Sequence, residues 1–98
     1  MPKAKKSFDD RRFLKLPHVL SREDNKDLVL LDLNTGEIYT LTGVARFVWE
    51  ELETSTIGEL CDALCNKFNV TPAVARTDIN DLLASLSQAN LVQVAEAS

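Results

Sequence analysis

Cys61, Cys65 and the single histidine, His18, are the side chains in this chain best suited to metal, redox or nucleophilic chemistry. The two cysteines stand four residues apart within a helical pattern. A Cys-x-x-x-Cys pair can serve a redox or metal centre, but zinc takes four ligands, and His18 belongs to a different element. Both cysteines read as packing or surface residues, since free Cys is among the most buried residue types. No nucleophile–base pairing and no Gly-rich phosphate loop is visible, so a complete active site cannot be assembled from these parts. The sequence therefore predicts no enzyme, no catalytic residue, no metal and no cofactor. What remains is main-chain chemistry. Leu30 to Leu33 and Glu37 to Leu41 flank Asn34-Thr35-Gly36, a hairpin signature in which Gly36 supplies a positive-φ turn position. The second strand, Glu37 to Leu41, stops just before a helix start. A strand with a free edge can recruit another chain through its unpaired N–H and C=O groups.

Those parts sit in 98 residues, enough for one domain with a modest core and too few for a deep enclosed active site. An apolar fraction of 45% excludes wholesale disorder. Residues 1–15 hold six of the eleven Lys/Arg and two of the fifteen Asp/Glu, a net +4; the other residues carry −8, for −4 overall. An acidic body repels phosphate backbones, which argues against nucleic acid as the partner. No apolar run approaches the roughly 20 residues of a membrane helix, so no membrane partner is expected. The basic N-terminus lacks a following apolar segment and is no secretory signal, so the expected location is cytoplasmic.

Along the chain, residues 1–12 read as a mobile basic tail and residues 13–94 as a single domain. Part of Phe13 to Glu23 forms a first strand, with Pro17 holding it at an edge or delaying its start. Asp24 to Asp27 is a polar turn; Leu28 to Leu33 and Glu37 to Leu41 are the second and third strands. A helix over about Gly43 to Leu52 places Val44, Phe47, Val48 and Leu52 on one face. Thr56-Ile57-Gly58-Glu59 matches a capping box and opens a second helix carrying Leu60, Cys61, Leu64 and Phe68. Thr71 suits an N-cap and Pro72 the first position of a third helix, which runs to about Gln88. Asn90 suits a left-handed C-cap, and Leu91 to Val94 a short last strand. The predicted class is α+β: a winged-helix-like domain with an N-terminal three-stranded antiparallel sheet followed by three helices.

Several stretches together resemble the PqqD family, named for coenzyme PQQ synthesis protein D. Its domain is also called the RiPP recognition element, after ribosomally made, post-translationally modified peptides. The resemblance rests on Leu30-Leu31-Asp32-Leu33, the Asn34 to Gly36 turn, Tyr39-Thr40-Leu41, Val44-Ala45 and Val48-Trp49. It continues through Thr56 to Leu60, the Asp78-Ile79-Asn80-Asp81-Leu82-Leu83-Ala84-Ser85-Leu86 helix, and Ala89-Asn90-Leu91-Val92, where the family usually has Gly at the position of Asn90. It covers about Leu28 to Val92; each motif is core patterning, and their order and spacing carry the likeness. The resemblance implies a non-catalytic peptide chaperone. Such a protein binds the leader of a precursor peptide and presents it to a modifying enzyme, often of the radical SAM class, in peptide natural-product or PQQ-type cofactor synthesis. The leader adds to the third strand, here Glu37, Ile38, Tyr39, Thr40 and Leu41. It lies against the third helix, which offers Val74, Thr77, Asp78, Asp81, Leu82 and Ser85.

Each of these residues also has a plainer reading. Ile38, Leu41 and Leu82 suit core packing as well as a peptide pocket. Tyr39 suits a half-buried strand position, Trp49 a core position, and Asp78 and Asp81 a solvated face. Two carboxylates on one groove wall would nevertheless favour a Lys or Arg in the ligand. The competing function is a winged-helix DNA-binding regulator, because two short helices before a longer one is also a helix-turn-helix order. A recognition helix needs basic or amide side chains, whereas the third helix has Arg76 as its only cation beside Asp78 and Asp81.

Overall fold

Pro17 divides the segment that the sequence reads as one first strand, because it has no N–H to give a ladder. Before it lies β1 (Phe13–Lys15) and after it β2 (Val19–Asp24). The computed structural model describes residues 10–95 and continues with β3 (Asp27–Asp32), β4 (Ile38–Leu41), α1 (Gly43–Glu51), α2 (Ile57–Phe68), α3 (Pro72–Gln88) and β5 (Val92–Val94). The expected three-stranded antiparallel sheet is present, in the order β2-β3-β4. The residues ahead of Pro17 leave it, and β1 pairs instead with β5 in a separate antiparallel ribbon, Phe13 opposite Val94 and Lys15 opposite Val92. Residues 1–9 of the expected tail lie outside the described residues. Its last two residues are not a tail: the Arg11 carbonyl accepts from the Ile57 N–H at the start of α2, and the Arg12 carbonyl from Ala95, continuing the ribbon's ladder.

Turn chemistry sets the register. Asn25, at φ 60°, makes the tight β2–β3 connection, and Gly36, at φ 80°, the β3–β4 connection. Within the latter, the buried Asp32 carboxylate accepts from the backbone of Asn34 at 2.8 Å and of Thr35 at 3.2 Å. A carboxylate in that position stands in for the missing ladder partners of the loop.

The helices begin and end as their caps require. Thr56 and Glu59 form the reciprocal capping box, at 2.8 and 3.1 Å. Thr71 caps α3 through the Val74 N–H at 3.3 Å, with Pro72 in the first turn. At its other end Asn90, at φ 63°, closes a Schellman motif in which Leu91 donates to Leu86 and Asn90 to Ser87. Replacing Thr56 with Ala removes the side-chain acceptor of the Glu59 N–H while the Thr56 backbone N–H keeps its bond to Glu59, and should cost about 1 kcal/mol, a fall in Tm of roughly 4–8 °C for a domain of this size. A thermal melt followed by circular dichroism checks this, and an unchanged midpoint would show that α2 does not depend on its cap.

One buried cluster joins sheet and helices, with Leu30 from β3, Trp49 from α1, Leu60 and Leu64 from α2 and Ile79 from α3. Trp49 is the largest of these and is 2% exposed, as the core reading of that residue expects. Its indole N–H has no partner among the described residues, while the Lys15 ammonium lies 5.1 Å from the ring centroid. Arg46 ties α1 to the β2–β3 turn, donating to the carboxylates of Glu23 and Glu50 and to the carbonyls of Asn25 and Asp27.

Candidate functional site

The strand β4 has β3 on one side and, among the described residues, no strand on the other. Its register shows which main-chain groups that open edge offers. The Asp32 N–H donates to the Glu37 carbonyl at 2.9 Å, which makes these two a hydrogen-bonded pair. The pairs that follow are Leu31 with Ile38, Leu30 with Tyr39, Val29 with Thr40 and Leu28 with Leu41. In an antiparallel ladder hydrogen-bonded pairs alternate with non-bonded ones. The N–H and C=O of Tyr39 and Leu41 therefore serve β3, and those of Ile38 and Thr40 face outward from the open edge.

Side chains alternate as well. Leu41 is buried and packs in the core, and Tyr39 is half-buried against it, while Ile38 and Thr40 are exposed on the opposite face of the sheet. Leu41 thus has its main chain committed to β3 and its side chain to the core, and it anchors the edge. The Tyr39 hydroxyl donates to Glu37 Oε1 at 2.6 Å. That bond to a carboxylate, aided by partial burial, holds the phenol above its ordinary pKa.

The helix α3 buries Ala75, Ile79, Leu83 and Leu86. Val74, Thr77, Asp78, Asp81 and Ser85 are exposed, and Leu82 is half-buried at the margin of the core. The six residues expected to line a groove do share one side of α3, since their angular positions fall together beside the buried stripe. Neither Asp78 nor Asp81 has a hydrogen bond or ion pair among the described residues, so both are available to a cation. Val44 and Phe47 of α1 and Phe68 of α2 are also half-buried on the core, with Phe47 and Phe68 edge to face at 5.7 Å. The β4 edge thus presents free main-chain groups, the core margin presents apolar surface, and the exposed side of α3 presents two carboxylates.

His18, which the spacing of chemically capable residues left isolated, links the C-terminal end of α3 to the three-stranded sheet. Its Nε2 lies 2.9 Å from the carbonyl of Asn90, at the C-terminal cap of α3, and 3.9 Å from Asp32 Oδ2. Its own carbonyl accepts from Leu33 N–H at 2.9 Å. One residue thus fastens the end of α3 to the turn end of the β3–β4 hairpin. The signal for it was Pro17-His18 between two apolar runs, but nothing in the sequence names a partner 72 residues away. Cys61 is buried and Cys65 half-buried on successive turns of α2. Among the described residues no group of three or more His, Cys, Asp or Glu is placed to hold a metal ion, and no helix is long and apolar enough to cross a membrane.

The family described as coenzyme PQQ synthesis protein D, PqqD, matches residues 27–92. Two solved structures share the fold. TbiB1, determined in complex with the TbiA(beta) leader peptide, is 28% identical, with a TM-score of 0.77 over 86% of this chain and 98% of that one. Lasso peptide synthetase B1, complexed with its leader peptide, is 23% identical, with a TM-score of 0.78 over 83% of this chain and 96% of that one. No curated protein sequence matches the chain.

Proposed function

The chain belongs to the PqqD family, and from that premise we propose that it is a non-catalytic chaperone for a ribosomally made precursor peptide. Its leader adds as a strand to the open edge of β4 and lies against α3. The observation that carries this reading is the pair of outward-facing main-chain sites at Ile38 and Thr40 on the open edge of β4; the exposed side of α3 adds two carboxylates without partners among the described residues. TbiB1, similar over nearly its whole length, was determined with a leader peptide bound, which supports the same role here. The bound peptide is passed to a modifying enzyme; the radical SAM class fits the family's usual partnership. Residues 13–94 form the binding domain. Main-chain bonds supply affinity in such an arrangement, and side-chain pockets supply choice.

The reading is tested by titrating the isotopically labelled protein with the TbiA(beta) leader and with peptides enriched from a random display library, followed by NMR. Shift changes should run along Ile38–Thr40 and Val74–Ser85. Changes confined to α2, with β4 and α3 silent, would refute the site. Asp78 and Asp81 give the reading a second check. Asp78→Lys or Asp81→Lys should weaken a peptide carrying Lys or Arg and leave a neutral one unaffected, and the difference should shrink as salt is raised. Isothermal titration at two salt concentrations measures this; equal loss for neutral and cationic peptides would remove the carboxylates from the site.

A further inference from the structure

The register of the three-stranded sheet aligns an aliphatic row across its outer face. Leu20 of β2 stands opposite Leu31 of β3, and Leu31 opposite Ile38 of β4. Alternation turns this row away from the core, which takes Leu28 and Leu30 from the other side of the same strand. Leu20 is 52% and Ile38 67% exposed, with Leu31 half-buried between them. With Val29 and Arg22 the row lines a shallow concavity of about 400 Å³. The neighbouring row, Arg22, Val29 and Thr40, is polar at both ends.

The size of the face bears on what covers it. Three strands about 4.8 Å apart and at most six residues long at ~3.3 Å each give a face of roughly 300 Å². A stable protein pair needs about 800 Å² from each partner, so a second copy of the chain is not the occupant. The row does run straight to the open edge, and it ends at a residue whose N–H and C=O face outward. A strand added there, in either direction, has one residue directly opposite Ile38, and its side chain emerges on the same outer face.

Resting on the strand-addition reading, we propose that Leu20, Leu31 and Ile38 form a specificity subsite for the peptide's outward-facing side chains. The peptide residue opposite Ile38 becomes the fourth member of the row and is aliphatic, β-branched or aromatic. The residues on either side of it point toward α3, and the next outward residue, beside Thr40, is free to be polar. A charged residue opposite Ile38 is excluded, because it would sit against the aliphatic row without a partner. The ligand is thus read on both faces, and one of its outward positions is as restricted as those in the groove.

The test is selection of a random 15-residue peptide library on the full chain, on Ile38→Lys and on Ile38→Glu, with thermal melts to confirm that both exposed-site variants fold. Peptides enriched on the wild type should lose binding to Thr40→Pro and carry an apolar residue at one outward position. On Ile38→Lys that position alone should change to Asp or Glu, and on Ile38→Glu to Lys or Arg. A wild-type peptide should bind either variant more weakly by up to about fivefold, the upper end for a single cross-strand pair. Thr40-dependent peptides whose consensus is the same on all three proteins would overturn the subsite and leave strand addition standing. Failure to enrich any Thr40-dependent peptide would overturn strand addition, and the subsite with it.

Discussion

Thr40→Pro is expected to weaken peptide binding at least tenfold and to leave the domain folded. The Thr40 N–H faces the open edge, so its loss removes no bond within the sheet, and proline is tolerated at such edge positions. A peptide strand loses that donor and meets the ring at the place where it must approach. One main-chain bond is worth about 1 kcal/mol net, and a bond on the ligand left without a partner costs more, so roughly 1.4 kcal/mol or tenfold is a lower expectation. Thr40→Ala keeps the main chain and trims an exposed side chain, so binding should stay within about twofold. The same proline at Tyr39, whose N–H serves β3, should unfold the edge. Titration of the three variants with one peptide, beside their melting curves, separates these cases. Thr40→Pro binding as well as the wild type would mean that the peptide does not pair with β4.

Trp49→Ala carries the largest expected loss of stability. The residue is 2% exposed and the largest side chain in the core, and truncations of this kind cost about 3–5 kcal/mol. A domain of this length has a total stability of roughly 5–15 kcal/mol, so the variant should be marginally folded or unfolded at 37 °C. Trp49→Phe should be far milder. It gives up some volume and part of the Lys15 contact, but no hydrogen bond, because the indole N–H has no partner among the described residues. Urea denaturation of both variants measures the difference. A Trp49→Ala protein within 1 kcal/mol of the wild type would mean that the core closes without this ring.

Local features were legible in the sequence because their physics is local. The capping box, Pro72 after Thr71, Asn90 at the end of α3 and Gly36 in its turn each act within a few residues, and each stands where its chemistry requires. Alternation along Glu37 to Leu41 also separated Ile38 and Thr40 from Tyr39 and Leu41. It could not tell a buried leucine from a ligand-facing one, and Leu41 proves to be core while Ile38 is open. Nor could it show which N–H groups face outward, since that follows from the Asp32–Glu37 pairing. The β1–β5 ribbon was illegible for a different reason. Three-residue strands are too short to carry a period, and Phe13 finds its partner only at Val94. The His18–Asn90 bond shares that limit, because a contact across most of the chain leaves no local mark.

The ribbon has a consequence for how such a domain can be built into larger proteins. Cross-strand partners lie about 5 Å apart, so the ribbon and the Arg12–Ala95 bond that extends it bring the two ends of the domain almost to the same point. A host polypeptide could be interrupted by residues 13–94 with little displacement of its own two ends, as when a cassette is spliced into a loop. The open edge of β4 belongs to a different sheet from that doorway, so a covalent tether at the doorway would not occupy a strand position beside it. Grafting onto an enzyme is therefore an architectural freedom of this fold, and it would hold the peptide at a high effective concentration near a catalytic centre without changing a single contact to it.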